Sequence, residues 1–398
     1  MSPKIIILLI IIIFILIKSK IKNYESLIIR YNKFKVKKLS AKNFEENLMS
    51  HILYVKSIKD GQVNIITYKK KFSKPKISFI VSVFNKEKYL KSFISSIQMQ
   101  DLKEIEIIFI DDFSDDKSYK VINDFKKKDK RIKLIKNKKN KGSLYSRAIG
   151  GKMAKADYVI FFDSDDVILK EGILKAYNHI VKHHLDIVQF LSIHQRNETI
   201  FTTKYYYKYR NVIKQPILSY IFNFNYTGVE KNIVLWDKLI KKQVVLKSLK
   251  YIGKKYINDR IIIENDVILL YTIFKMAKSY QFIKSFGYYY FETNEGSISN
   301  SWKNPEKSNE IVHSLLMNIK FLFEKTNNSI LDKYFCIFKI KQFFKRYKII
   351  LKYANKQFGL MKTIFNALFN SEFIKDDDKL VLIKLYLTIF NMDGSVRQ

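Results

Sequence analysis

From Lys76 onward, short β-rich apolar runs alternate with stretches of helical periodicity. Clusters of Val, Ile and Phe predict strands at Ile77–Val83, Ile105–Ile110, Ile132–Lys136, Tyr158–Phe162 and Ile187–Leu191. Between them, apolar residues spaced three and four apart predict helices near Tyr89–Gln100, Ser118–Lys128, Leu144–Lys155 and Gly172–His184. This alternation implies an α/β fold with a mainly parallel, Rossmann-like sheet flanked by helices. Beyond Trp302 the pattern turns to helical apolar and lysine spacing without an acidic cluster that suggests chemistry, so residues 303–398 are expected to form a helical C-terminal region. No repeat of fixed period appears, and 4 prolines and 11 glycines leave little room for a flexible linker.

The N-terminus has a different pattern. Ile5 to Ile17 is an unbroken apolar run of thirteen, with Lys4 before it and Lys18, Lys20 and Lys22 after it. That is short for a hydrocarbon core of about 30 Å, but flanking lysines snorkel and a short span thins the bilayer. No small-residue cleavage site follows, so residues 1–22 are expected to be an uncleaved, single-pass signal anchor rather than a signal peptide. Residues 23–75 read as a lysine-rich, weakly patterned stem that ends at Lys74-Pro75, and 76–302 as the main α/β domain. The lysine excess after the anchor favours a cytosolic domain by the positive-inside rule. Sequons at Asn197, Asn225 and Asn327 favour a lumenal one, leaving the side and the ER/Golgi or plasma membrane open.

Composition narrows the function classes. A hydrophobic fraction of 47% over 398 residues excludes a wholly disordered chain. One cysteine and 6 histidines exclude a disulfide framework, and His179 and His183, one helical turn apart, lack an evident third zinc ligand. The formal net charge of +36 would suit nucleic acid or an anionic membrane. Only 8 of the 73 cations are arginine, however, and the lysines are scattered over nearly every surface position. That distribution solvates helix faces and argues against nucleic-acid binding.

Two acidic turns remain: Asp111-Asp112-Phe113-Ser114-Asp115-Asp116 after the second strand, and Asp163-Ser164-Asp165-Asp166 after the fourth. Either alone reads as helix N-capping. Together they crowd carboxylates at the carboxyl edge of one parallel sheet, where open α/β folds bind ligands. Such crowding calls for a cation, and a hard divalent ion with phosphate oxygens in its shell is the natural one.

The run from Ile77 to Leu90, with Ser82-Val83-Phe84-Asn85, resembles the opening strand and turn of family 2 glycosyltransferases, which have the GT-A fold. Ile110 to Asp116 resembles the family's second-strand acidic motif, Phe161 to Asp166 its D-x-D motif, and Asn140-Lys141-Gly142 with Arg147 also fits. The resemblance is strong over residues 76–192, thinner to 302, where Trp236-Asp237-Lys238-Leu239 matches, and absent outside. It implies that Ser82 and Phe84 line a nucleotide base and that Asp112 accepts a hydrogen bond from it. It further implies that Asp163 lies near the sugar or ribose, that Asp165 ligates Mn2+ or Mg2+ with Asp166 in support, and that Arg147 contacts phosphate. Arg147 also reads as a surface helix cation. Family members often carry Pro and Tyr where Ser82 and Phe84 stand, departures that leave backbone and stacking contacts intact.

Inverting transfer needs a carboxylate to remove the acceptor's proton. The family's base is the Asp of a Glu-Asp pair, and the match here is Asn265-Asp266, with Asn in place of Glu and Glu264 one residue early. Asp266 also reads as the N-cap of the helix that follows it, a role compatible with catalysis. Among the aromatic runs Tyr205–Tyr207 and Tyr288–Phe291, most residues read as strand and core, and Trp236 is the acceptor-side candidate. These residues imply a membrane-anchored, metal-dependent, inverting glycosyltransferase that uses a nucleotide-diphospho-sugar donor. The acceptor is an unidentified glycan, protein or lipid. A polyprenol-phosphate sugar synthase and a non-catalytic sugar-nucleotide or membrane-surface binder are the alternatives.

Overall fold

The computed structural model describes residues 41–61, 66–69, 72–197, 199–202, 213–214, 217, 234–292 and 308–325. The apolar run Ile5–Ile17, Tyr205–Tyr207 and the sequons at Asn225 and Asn327 lie outside them. Among the described residues, no helix is long and apolar enough to cross a membrane.

Four parallel strands open the sheet: β1 (Ile77–Val83), β2 (Ile105–Asp111), β3 (Ile132–Lys136) and β4 (Tyr158–Asp163), in the order β3-β2-β1-β4. Helices α2 (Glu87–Gln98), α3 (Ser118–Lys128) and α4 (Ser143–Met153) connect them, as the alternation predicts. The strands β1, β2 and β4 are largely apolar on both faces because helices cover both, while the edge strand β3 carries Lys133 and Lys136 and is only partly covered. Phe79, Val81, Ile107, Phe109, Ile160 and Phe162 pack toward α2 and α3, while Ile80, Ile108, Ile110, Val159 and Phe161 pack toward α4 and the later helices. The period-2 alternation thus divides two cores rather than core from solvent.

The second half departs from simple β-α-β winding. After α5 (Gly172–Lys182), β6 (Ile187–Arg196) is separated from β4 by β9 (Lys238–Lys241), which runs antiparallel to both. β10 (Ser279–Phe291) lies parallel to β6 on its far side. Short strands β5 (Val167–Ile168), β7 (Thr199–Thr202) and β8 (Ile213–Lys214) pair antiparallel with this half, so the sheet is mixed. Between β9 and β10 stand α6 (Lys242–Ile257) and α7 (Asn265–Met276).

Both flanks of the 76–302 stretch carry helices that join its cores. In the segment read as a stem, α1 (Ala41–Lys59) buries Val55 and Ile58 against Phe286, Tyr289 and Phe291. In the C-terminal region, α8 (Ser308–Lys325) buries Ile311, Leu315, Ile319 and Leu322 in the cluster shared with α6 and α7. It also grips the loop before α7, where Ser314 Oγ accepts from the Ile262 amide at 2.9 Å and Asn318 Nδ2 donates to the Ile263 carbonyl at 3.3 Å.

Helix α5 approaches the sheet closely at Gly172, where a Cβ would stand 2.2 Å from the Phe286 carbonyl oxygen and 2.4 Å from Gly287 Cα. These are backbone atoms and cannot swing aside. Gly172→Ala should therefore destabilise the fold by about 3 kcal/mol, the upper range for overpacking, measurable as a lower denaturant midpoint with unchanged slope.

Candidate active site

Strand register assembles the site. Val83 is opposite Asp111 and Ser82 opposite Asp163, so the exits of β1, β2 and β4 lie side by side. Ser82 and Phe84 are half-buried at the β1 exit. Asn85 takes a left-handed conformation at φ 52° and locks this turn to the first acidic turn: its amide donates to Ser114 Oγ at 3.1 Å and its Oδ1 accepts from the Asp115 amide at 2.9 Å. Asp116 accepts from the Glu87 amide at 3.0 Å and the Ser118 amide at 2.9 Å, so it holds the N-terminal ends of α2 and α3.

Asp112 sits in a cradle. Its Oδ1 accepts from Asn137 Nδ2 at 2.7 Å and the Lys141 amide at 2.8 Å, and its Oδ2 from the Gly142 amide at 2.7 Å. Gly142 has φ 85°, in the left-handed region that glycine adopts without strain. Asp112 is thus oriented by three donors, with part of Oδ2's acceptor capacity left.

Arg147 lies on α4 and is buried rather than at the surface. Nη2 donates to Asp163 Oδ1 at 2.8 Å, and Nη1 donates to Asn265 Oδ1 at 2.6 Å and also to Asp266 Oδ1. The structure thereby brings the first D-x-D carboxylate and Asp266 onto one guanidinium. Asp266 is the second residue of α7 and Glu264 occupies the N-cap position, so Asp266 is not the cap. Asn265 accepts from the same cation that holds Asp266. Burial pushes the Asp266 carboxyl upward while Arg147 pulls it down. Asp163 is pushed up to about 6 by burial against the same cation, although its side chain is 34% open to solvent, which tempers the effect. Buried beneath, Lys238 pairs with Asp237 at 2.6 Å, and its charge also lowers Asp266.

The other D-x-D carboxylates diverge. Asp165 forms an ion pair with Lys86 Nζ at 2.7 Å. Asp166 is buried, its two oxygens accepting from Tyr288 Oη at 2.7 Å and the Phe291 amide at 2.9 Å, so it fastens the turn to β10. Tyr288 stacks between Phe162 and Trp236, at centroid distances of 5.7 and 4.5 Å. Trp236 also stacks on Tyr290 and is 3% exposed, which makes it a core ring backing the site and closed to an acceptor in this conformation.

Among the described residues no group of three or more His, Cys, Asp or Glu is arranged to hold a metal ion. Of the D-x-D carboxylates, Asp163 is held by the Arg147 fork and Asp166 by Tyr288 and the Phe291 amide, which leaves Asp165, paired with the more movable Lys86, as the one that could turn to a metal ion. A single oxygen donor of this kind suits a hard ion of the Mg2+ type, which keeps waters and borrows phosphate oxygens rather than filling a protein cage.

Lys86, Asn137 and Tyr288 also belong to the site, although the sequence motifs do not single them out. Lys86 directly follows the matched β1 turn, and Tyr288 belongs to an aromatic run whose strand alternation carried the signal. Asn137 had none, since its role depends on the fold of the β3 exit.

Residues 78–235 match the family model described as glycosyl transferase family 2. An uncharacterised glycosyltransferase of Haemophilus influenzae is 43% identical over 111 residues, 28% of this chain and 44% of its own length. The cholesterol galactosyltransferase of Borreliella burgdorferi is 29% identical over 288 residues, 70% of this chain and 77% of its own. The crystal structure of S. aureus TarS 1–349 in complex with UDP-GlcNAc shares the fold at a TM-score of 0.57 and 17% identity, over 81% of this chain and 92% of that one.

Replacing Arg147 by Met would leave three buried or half-buried acceptors without their cation. Arg147→Met should cost roughly 3–5 kcal/mol in urea unfolding, the range for breaking one side of a buried ion pair.

Proposed function

Since the chain belongs to the family 2 glycosyltransferases, we propose that it transfers a sugar with inversion from a nucleotide-diphospho-sugar to an acceptor hydroxyl at the Arg147 site. The observation that carries this reading is the meeting of Asp163 and Asp266 on one buried guanidinium. In the proposed reaction the acceptor oxygen bonds to the anomeric carbon as the bond from that carbon to the diphosphate breaks. Asp266 takes the hydroxyl proton and the nucleoside diphosphate leaves. Ser82 and Phe84 line the base, and Asp112, held still by its three donors, accepts from it. Asp163 faces the sugar or ribose. Arg147 orients both carboxylates and keeps the base ionised against its burial. A divalent Mn2+ or Mg2+ at Asp165 would supply charge neutralisation for the departing diphosphate.

For the acceptor we favour a membrane-lipid hydroxyl. The relative that matches the chain over 70% of its length carries the name cholesterol galactosyltransferase, and the run Ile5–Ile17 would anchor the enzyme beside such an acceptor. The lysine excess after that run supports a cytosolic side for the domain. Release of nucleoside diphosphate from a panel of sugar nucleotides, with cholesterol, polyprenol phosphate or a glycan present, tests donor and acceptor together. No release with any combination would overturn the reading.

Asp266→Asn should lower kcat by about 10²-fold or more with donor affinity nearly unchanged, whereas a loss confined to donor binding would move Asp266 to the nucleotide site. Asp165→Asn should abolish transfer and, because it takes this carboxylate from the sheltered Lys86 ammonium, should also cost about 1–3 kcal/mol in urea unfolding. Because the base must be ionised and its pKa is raised, kcat/KM should climb as pH rises through a midpoint above the usual carboxylate value. Arg147→Lys keeps a cation but loses the fork, so this acid limb should move to higher pH.

A further inference from the structure

The three D-x-D carboxylates are each engaged by a group of the protein itself. Asp166 is held by Tyr288 and the Phe291 amide, Asp163 by Arg147 and Asp165 by Lys86. The Lys86 pair is the one poised at the position proposed for a metal. Its side chains are 11% and 15% exposed, so salt screens it little. Lys86 also starts from a fixed point: its amide donates to Ser118 Oγ at 2.8 Å, and its carbonyl accepts from the Tyr89 amide at 2.9 Å and the Leu90 amide at 3.1 Å in the first turn of α2. The backbone is therefore pinned beside the β1 exit while the four-carbon stem remains the movable part.

An ammonium and a divalent cation cannot share the Asp165 carboxylate at contact distance without strong repulsion. A metal ion entering alone must displace Lys86 and leave that charge beside its own. A diphosphate reverses the balance, because it arrives with anionic oxygens that a displaced ammonium can bind. The ring of Tyr89, 5.8 Å from Nζ, offers the cation a further contact on its way.

We infer that Lys86 is a positioning residue that occupies the Asp165 carboxylate in the donor-free enzyme and transfers to the diphosphate when nucleotide and metal enter together. Metal binding is thereby conditional on the donor. This rests on the nucleotide-sugar reading above. It also gives the diphosphate a protein cation, since Arg147 is committed to Asp163, Asn265 and Asp266.

The test is Mn2+ titration of the full chain followed by electron paramagnetic resonance, alone and with UDP or GDP, together with calorimetry of the same nucleotides without metal. Wild type should bind Mn2+ at least about tenfold more tightly with nucleotide than without. Lys86→Met should raise the affinity for Mn2+ alone roughly tenfold and lower metal-free nucleotide affinity by a similar factor, while Lys86→Arg keeps both near wild type. Wild type that binds Mn2+ equally well with and without nucleotide overturns the inference, a result that needs no variant to fold. Lys86→Met matching wild type in both titrations overturns it too. Nucleotide binding by wild type in those cases leaves the donor reading standing. A wild type that binds neither nucleotide, with or without metal, overturns both.

Discussion

The two halves of the site are joined through a single guanidinium. Arg147 comes from α4, Asp163 from the exit of β4, and Asn265 and Asp266 from α7, more than a hundred residues further along the chain. Two carboxylates brought that near each other repel and, in a sheltered site, take up protons. The planar fork of arginine removes the repulsion at two points at once, which a lysine ammonium does not do with the same geometry. The meeting of Asp163 with Asp266 depends on that contact. The register of β1, β2 and β4 sets where Asp163 stands, and the grip of α8 on the loop before α7 sets where Asp266 can be.

Behind this polar layer lies an aromatic one. Phe162, Tyr288, Trp236 and Tyr290 stack as nearly parallel rings through the sheet, and the Tyr288 hydroxyl emerges from the stack to bind Asp166. Burial and the neighbouring carboxylates raise both the Tyr288 phenol and the Asp166 carboxyl well above their ordinary values. The stack is rigid and apolar on its inner side, so the turn it carries cannot relax toward water without opening the core.

Much of this was legible in the sequence. Strands β1 to β4 and their helices announced themselves by runs of β-branched residues and by apolar spacing such as Leu90, Phe93, Ile94 and Ile97, and the acidic turns fell where such sheets bind ligands. β9 and β10 were harder to read. A four-residue strand such as Lys238–Lys241 carries no period, and Ser279–Phe291 mixes buried and half-buried positions with shifts in register against β6. Arg147 could be seen as a cation on a helix, but nothing local says that α4 turns it inward, because its partners belong to other elements. Trp236 looked like an acceptor contact because large aromatics serve both purposes, and packing alone decides between them.

The grip of α8 on the loop before α7 has a consequence for how such a chain diversifies. The matched family span ends at residue 235, so Asp266, the loop before it and α8 all lie beyond it. Residues that line the proposed donor site sit almost wholly before that limit, and the proposed base and its scaffold after it. The molecule is in this sense modular along its length, with Arg147 as the coupling between modules. Substitutions in the later module can shift the setting of the proposed base while the proposed donor side stays intact, provided the α8 contacts still deliver Asp266 to the same guanidinium.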